Sequence, residues 1–159
     1  MSRSTRTPTD IEVTVLDLSD VEAEALAYLR AHAQTDIDLG KDDVQMPSKV
    51  RVGEKTGVVE TPDGSLYAFG TEGVGSSTPI SDENPLVLDV YITGYEERGD
   101  GFISMFPSAQ SKLTAEQVRE RMTDEKTNLA DFIRTFGSRL DSNYESWRKL
   151  LAREGVATA

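Results

Sequence analysis

The chain has no cysteine and a single histidine, His32. The first absence removes thiol nucleophiles, redox pairs, disulfide staples and every zinc site that uses cysteine. The second leaves a Ser-His-Asp triad with one candidate base and excludes a multi-histidine metal centre within one chain. Positive charge is also scarce. Lys and Arg total 17 against 28 Asp and Glu, a formal net charge of −11. Such a surface repels nucleic acid and anionic membranes. Lysine is the rarer base, 6 against 11 arginines, which fits a chain living at high salt as well as an ordinary acidic protein. No apolar run is long enough to span a bilayer. The first ten residues carry two arginines without an apolar stretch behind them, so no secretory signal is expected.

Several ligand motifs are missing as well. Residues 34–48 read as an acidic loop, with Asp36, Asp38, Asp42 and Asp43 around Gly40. An EF-hand needs glycine at its sixth loop position and glutamate at its twelfth. Counted from Asp36, those places hold Lys41 and Pro47. The glycine-rich stretch 70–79, with Gly73 and Gly75 at its centre, has no lysine and is no Walker loop. No G-x-S-x-G elbow occurs. We therefore expect no catalytic residues, no cofactor and no metal.

What is present reads as one α+β domain over 11–159, preceded by a flexible arm over 1–10. The organising stretch is Leu86–Tyr95, with a return limb at Phe102–Phe106 and a polar tip between them. Leu86, Leu88, Val90 and Ile92 share one face of it and should face the core. Ile11–Leu16 alternates as a strand. Ser19 and Glu22 stand at capping-box spacing, and apolar spacing predicts a helix over 20–33, with His32 in its last turn as a capping or packing residue. Lys49–Val52 and Val58–Glu60 flank Gly53 and Gly57 and read as a hairpin. Thr61-Pro-Asp-Gly64 predicts a turn leading to a strand at Ser65–Phe69. These segments predict a small antiparallel sheet or barrel of five to six strands. Beyond Phe106 the period changes. Helices are predicted at 115–122, 125–136 and 143–153, with Thr114 and Gln117 as a capping box.

Charge is unevenly placed. Residues 11–48 carry net −7 and 49–106 net −6, while 1–10 and 107–159 are each +1. A body acidic in its first two thirds, with near-neutral ends, suits head-to-tail packing. The expected function is therefore non-enzymatic: a structural, assembly or interaction protein, for example a subunit of a virus particle, tail or tube. Its partners would be copies of itself or other subunits, without nucleic acid, membrane or small-molecule substrate. Its place would be the cytoplasm or a virus particle. Candidate interaction residues are Arg3 and Arg6 on the arm, Gly73 and Gly75 in the glycine-rich stretch, Arg98 and Asp100 at the hairpin tip, and Trp147. Arg98-Gly-Asp100 spells an integrin-recognition tripeptide, but Gly-Asp-Gly is also what a tight turn wants. For Trp147 the reading is burial in its own chain ahead of an anchor on another subunit.

Two other classes are weighed. A single-stranded nucleic-acid binder on a small barrel would use the aromatic pairs Tyr67 with Phe69, Tyr91 with Tyr95 and Phe102 with Phe106, beside Lys49 and Arg51. The net charge of −6 over 49–106 opposes it. A carboxylate enzyme would use Asp63, Asp82 or Asp89 with His32, and spacing gives no sign of convergence.

Overall fold

The computed structural model describes residues 11–53, 55–70, 78–100, 104–136 and 144–156. Among the described residues the architecture is α+β, with two antiparallel sheets and four helices. This replaces the single sheet or barrel expected from the sequence. The residues fall into two compact units that interleave along the chain. One comprises the described residues within 1–17, 54–86 and 113–159, the other Leu18–Gly53 and Val87–Lys112.

The first unit is built on a sheet of β1 (Glu12–Leu16), β3 (Thr56–Glu60), β4 (Leu66–Gly70) and β8 (Met122–Asn128), in the order β4-β3-β1-β8. Three helices belong to it: α2 (Ala115–Arg119), α3 (Leu129–Phe136) and α4 (Tyr144–Arg153). Thr14 faces Val58, and Thr14 faces Lys126 on the other side. The core gathers Ile11, Val13, Val59, Tyr67, Phe69, Leu129, Phe132, Trp147, Leu150 and Leu151. Phe69 and Trp147 meet edge to face at 4.7 Å, a favoured aromatic geometry.

The Thr61–Gly64 turn forms as expected and joins β3 to β4. Thr61 N–H donates to Ser65 O at 2.9 Å, and Gly64 N–H to Thr61 O at 2.9 Å. Gly64 has φ +88°, a conformation costly for side-chain-bearing residues.

The expected C-terminal run of three helices is interrupted. The capping box on α2 is present, with Gln117 N–H donating to Thr114 and Thr114 N–H to Gln117. The helix then stops, because residues 122–128 pair with β1 as β8. The ladder offered by β1 outweighs helical propensity in a stretch holding the β-branched Thr123 and Thr127. Asn128 then restarts the helix: its Oδ1 accepts from Asp131 N–H at 2.8 Å, an N-cap bond. Ser142, which stands at capping-box spacing from Glu145 ahead of the third expected helix, lies outside the described residues.

The second unit holds α1 (Ser19–Asp38) and a sheet of β2 (Pro47–Val52), β5 (Leu86–Tyr95) and β6 (Gly99–Asp100), with β7 (Ala109–Leu113) also pairing β5. Leu86 and Leu113, at the ends of β5 and β7, fall in the first unit. The alternation read in β5 is present: Leu86, Leu88, Val90 and Ile92 are buried and Val87 is exposed. The return limb differs from the expected Phe102–Phe106 strand. Ser104 N–H donates to Ile92 O and Ser108 N–H to Val90 O, and regular strand appears at β6 and β7. Phe102 lies outside the described residues.

Helix α1 runs five residues past the expected end, so Gln34–Asp38 are helical, not loop. Its Ser19–Glu22 capping box does not form. The cap position is Leu18, with no side-chain cap bond. Glu22 is used elsewhere: its carboxylate accepts from Val52 N–H at 2.9 Å.

The expected Lys49–Glu60 hairpin is absent. β2 pairs with β5, whereas β3 pairs with β1 and β4. Gly53 and Gly57 serve close approach instead of a turn. A Cβ on Gly53 would lie 2.5 Å from the Tyr91 ring, and one on Gly57 would strike Val13 and stand 3.1 Å from Phe132. Since Val13 and Phe132 are both 0% exposed, neither can step aside. Gly57→Ala should therefore destabilise the fold by about 1–3 kcal/mol, the usual cost of overpacking a filled core. A urea titration checks this. A midpoint equal to that of the unsubstituted chain would contradict the packing.

Candidate functional site

The best-organised polar cluster of the first unit is the β3–β4 turn. Asp63 Oδ1 accepts from the Thr61 hydroxyl and from Ser65 N–H at 3.1 Å. The Thr61 hydroxyl holds the Asp63 carboxyl below the ordinary carboxylate range, helped by the Ser65 amide. Arg119 donates to Glu60 Oε2 at 2.8 Å and to the Gly64 carbonyl, tying α2 to the turn. Behind it, burial pushes the Tyr67 phenol up, and the charges of Glu154 and Asp63 add to the effect. An open recess of about 480 Å³ lies beside the turn, lined by Glu12, Glu60, Thr61, Pro62, Gly155 and Val156, among others. Its carboxylates are exposed, and Glu60 is already paired with Arg119. The arrangement fastens a hairpin and does not converge on a reacting atom.

The second unit has a different character. Six large apolar side chains are exposed among the described residues: Tyr28, Ile37, Leu39, Val87, Met105 and Phe106. All six belong to this unit. Met105 and Phe106 are adjacent in the return limb, at 86% and 73% exposed. The Ser104 hydroxyl donates to Phe106 O at 2.9 Å, bending the chain locally at this pair. Tyr28 lies on α1 and Leu39 is the C-cap of that helix, and Tyr28 stacks on His32 with ring centres 6.5 Å apart. The side chain of His32 is 68% exposed and stands 3.9 Å from Asp36. It shares a face of α1 with the buried Val21 and Ala25 but is itself exposed.

The residues singled out from sequence scatter. Arg3, Arg6, Gly73 and Gly75 lie outside the described residues. Arg98 is exposed at the β5–β6 turn, where its N–H donates to Tyr95 O at 3.2 Å. Asp100 pairs with Gly94 in β6. Trp147 is 7% exposed and packs on Phe69, the burial that the reading favoured. Of the stacking pairs, Tyr67 and Phe69 are 3% and 1% exposed in the core, so they offer no face to a base. Asp89 accepts from Gln110 Nε2 at 2.8 Å, and His32 meets Asp36. Among the described residues no group of three or more histidine or acidic side chains is placed to hold a metal. None of the described helices is long and apolar enough to cross a membrane. Sequence reasoning passed over Met105, inside the expected strand 102–106, and Leu39, inside the expected acidic loop 34–48.

No protein-family model matches this chain, no curated protein is significantly similar to it, and no solved structure matches it. The functional reading therefore rests on its own surface.

Asp63 yields a pH prediction. Its folded-state pKa lies below the ordinary value, so its contribution is present above about pH 4 and is lost as pH falls through the lowered value. Asp63→Ala should melt lower than the unsubstituted chain at pH 7, and the gap should narrow as pH drops below 4. Melting scans across that range check it, and a gap that stays constant would contradict the assignment.

Proposed function

We propose that this chain is a non-enzymatic interaction protein, a subunit of an assembly made with copies of itself or with other proteins. A virus particle, tail or tube is one concrete form of such an assembly. The observation that carries the reading is the concentration of exposed apolar side chains in the unit of α1 and β5, against a first unit with none of that class among its described residues. Single exposed apolar residues are ordinary; adjacent ones such as Met105 and Phe106 form a patch of the kind that partners cover. The charge asymmetry supports it too, since acidic bodies and near-neutral ends favour ordered contact between unlike surfaces.

The native mass of the particle that contains this chain tests the proposal. Isolated gently from its source, the protein should elute and scatter as a multi-subunit particle. Met105→Ser with Phe106→Ser should shift that particle toward smaller species while leaving the melting temperature of the chain within a few degrees, as both side chains are exposed. A strict monomer at every concentration and ionic strength would overturn the proposal.

A further inference from the structure

Resting on that reading, we propose that the C-terminal half of α1 docks a helix of a partner protein whose apolar ridge is flanked by basic residues. Tyr28, His32, Thr35 and Leu39 follow one another at steps of four, three and four, the spacing of side chains along a helix–helix seam. Three of them are 64% (Tyr28), 68% (the His32 side chain) and 70% (Leu39) exposed, and Thr35 is exposed as well. The same spacing extends backward to Ala25 and Val21 on the same face, and there the side chains are buried. One face of α1 is thus covered over its first two turns and left open over the last three. An aromatic pair and a leucine form the open part.

The flanks decide what kind of helix fits. At about 100° per residue, Glu24 and Asp38 lie on one side of the stripe and Asp36 on the other. Asp42 and Asp43 follow beyond the helix end, both exposed. Lys41 is bound to Asp36 at 3.0 Å, and Arg30 is turned away, donating to Pro47 O and Glu96. A second copy of α1 laid on this face would bring carboxylates against carboxylates. A helix with lysine or arginine beside its apolar ridge would meet opposite charge along the Glu24–Asp38 side and at Asp42 and Asp43 beyond the helix end.

The full-length chain is titrated with fluorescent helical peptides of about 21 residues, three heptads, carrying leucine at the seam positions and lysine at the flanks. Two controls replace the flanking lysines by glutamate, or the seam leucines by serine. The lysine–leucine peptide should bind, more weakly at high salt, and both controls should bind at least about tenfold more weakly. Tyr28→Ser with Leu39→Ser should cost about tenfold or more, and Thr35→Arg, which sets a like charge against the peptide, should do the same. Circular dichroism and melting temperature should not move for either variant, because these side chains are exposed. Equal binding by the serine-seam peptide or by the variants would overturn the proposal. So would tighter binding of the glutamate peptide, or a self-dimer in sedimentation that Tyr28→Ser with Leu39→Ser abolishes, which would make the occupant a second copy. Failure of the unsubstituted chain to bind the lysine–leucine peptide, with its assembly intact, sinks this site and leaves the assembly reading standing. A solitary native chain sinks the assembly reading instead.

Discussion

The outer edge of β2 has to be satisfied. A strand edge presents unpaired amides and carbonyls, and a buried one costs as much as the hydrogen bonds it lacks. In the second unit α1 meets this demand with its own side chains. Glu22 accepts from Val52 N–H at 2.9 Å, and Arg30 donates to Pro47 O at 2.6 Å. These bonds are about two turns apart on the helix, so together they fix both its position along β2 and its rotation about its axis. A third bond, Arg30 to Glu96, ties the same side chain to the end of the β5 limb. It is half exposed and adds little energy of its own. Once the rotation is fixed, so is the face that points away. The exposed stripe on α1 is therefore a consequence of how the edge of β2 is closed.

That device also explains why the sequence misleads at this helix. Ser19 and Glu22 have capping-box spacing, and a capping box is a local signal. The Glu22 carboxylate had two possible backbone partners, its own cap residue and Val52, and the tertiary one prevailed. Gly53 and Gly57 mislead for a related reason. Glycine between two apolar runs is the ordinary mark of a turn. Here the missing side chains leave room for Tyr91 and for Phe132, and nothing local announces a ring arriving from so far along the chain. The same holds at β8, where a helical reading of 125–128 gave way to pairing with residues more than a hundred positions earlier. By contrast, the Thr61–Gly64 turn, the alternation of β5 and the Thr114 capping box were legible, because each is decided within a few residues.

The candidate surface was less legible than the fold. Trp147 drew attention as the one tryptophan, yet such a side chain is a natural core filler, and the edge-to-face contact with Phe69 shows that use. Leu39 and Met105 drew none, because exposure is not a property of a residue type. It depends on which face of an element the rest of the unit happens to cover. His32 sits between these cases. Its place on α1 was readable, but the helix continues to Asp38 so His32 is not in its last turn, and its stacking on Tyr28 in the open was not readable.

The contrast between the two units supports the proposed docking role of the second. Fully burying a leucine or phenylalanine is worth about 1.5–3 kcal/mol, and a domain's net stability is only about 5–15 kcal/mol. In the first unit the large apolar side chains among the described residues are drawn inward, and Phe132, Leu129 and Leu151 are each 0% exposed. The second unit leaves Phe106, Met105, Leu39 and Tyr28 in solvent, where polar replacements would cost the folded monomer little and would lower its tendency to associate. Under the proposed assembly, a partner laid over these side chains would bury them and recover that free energy.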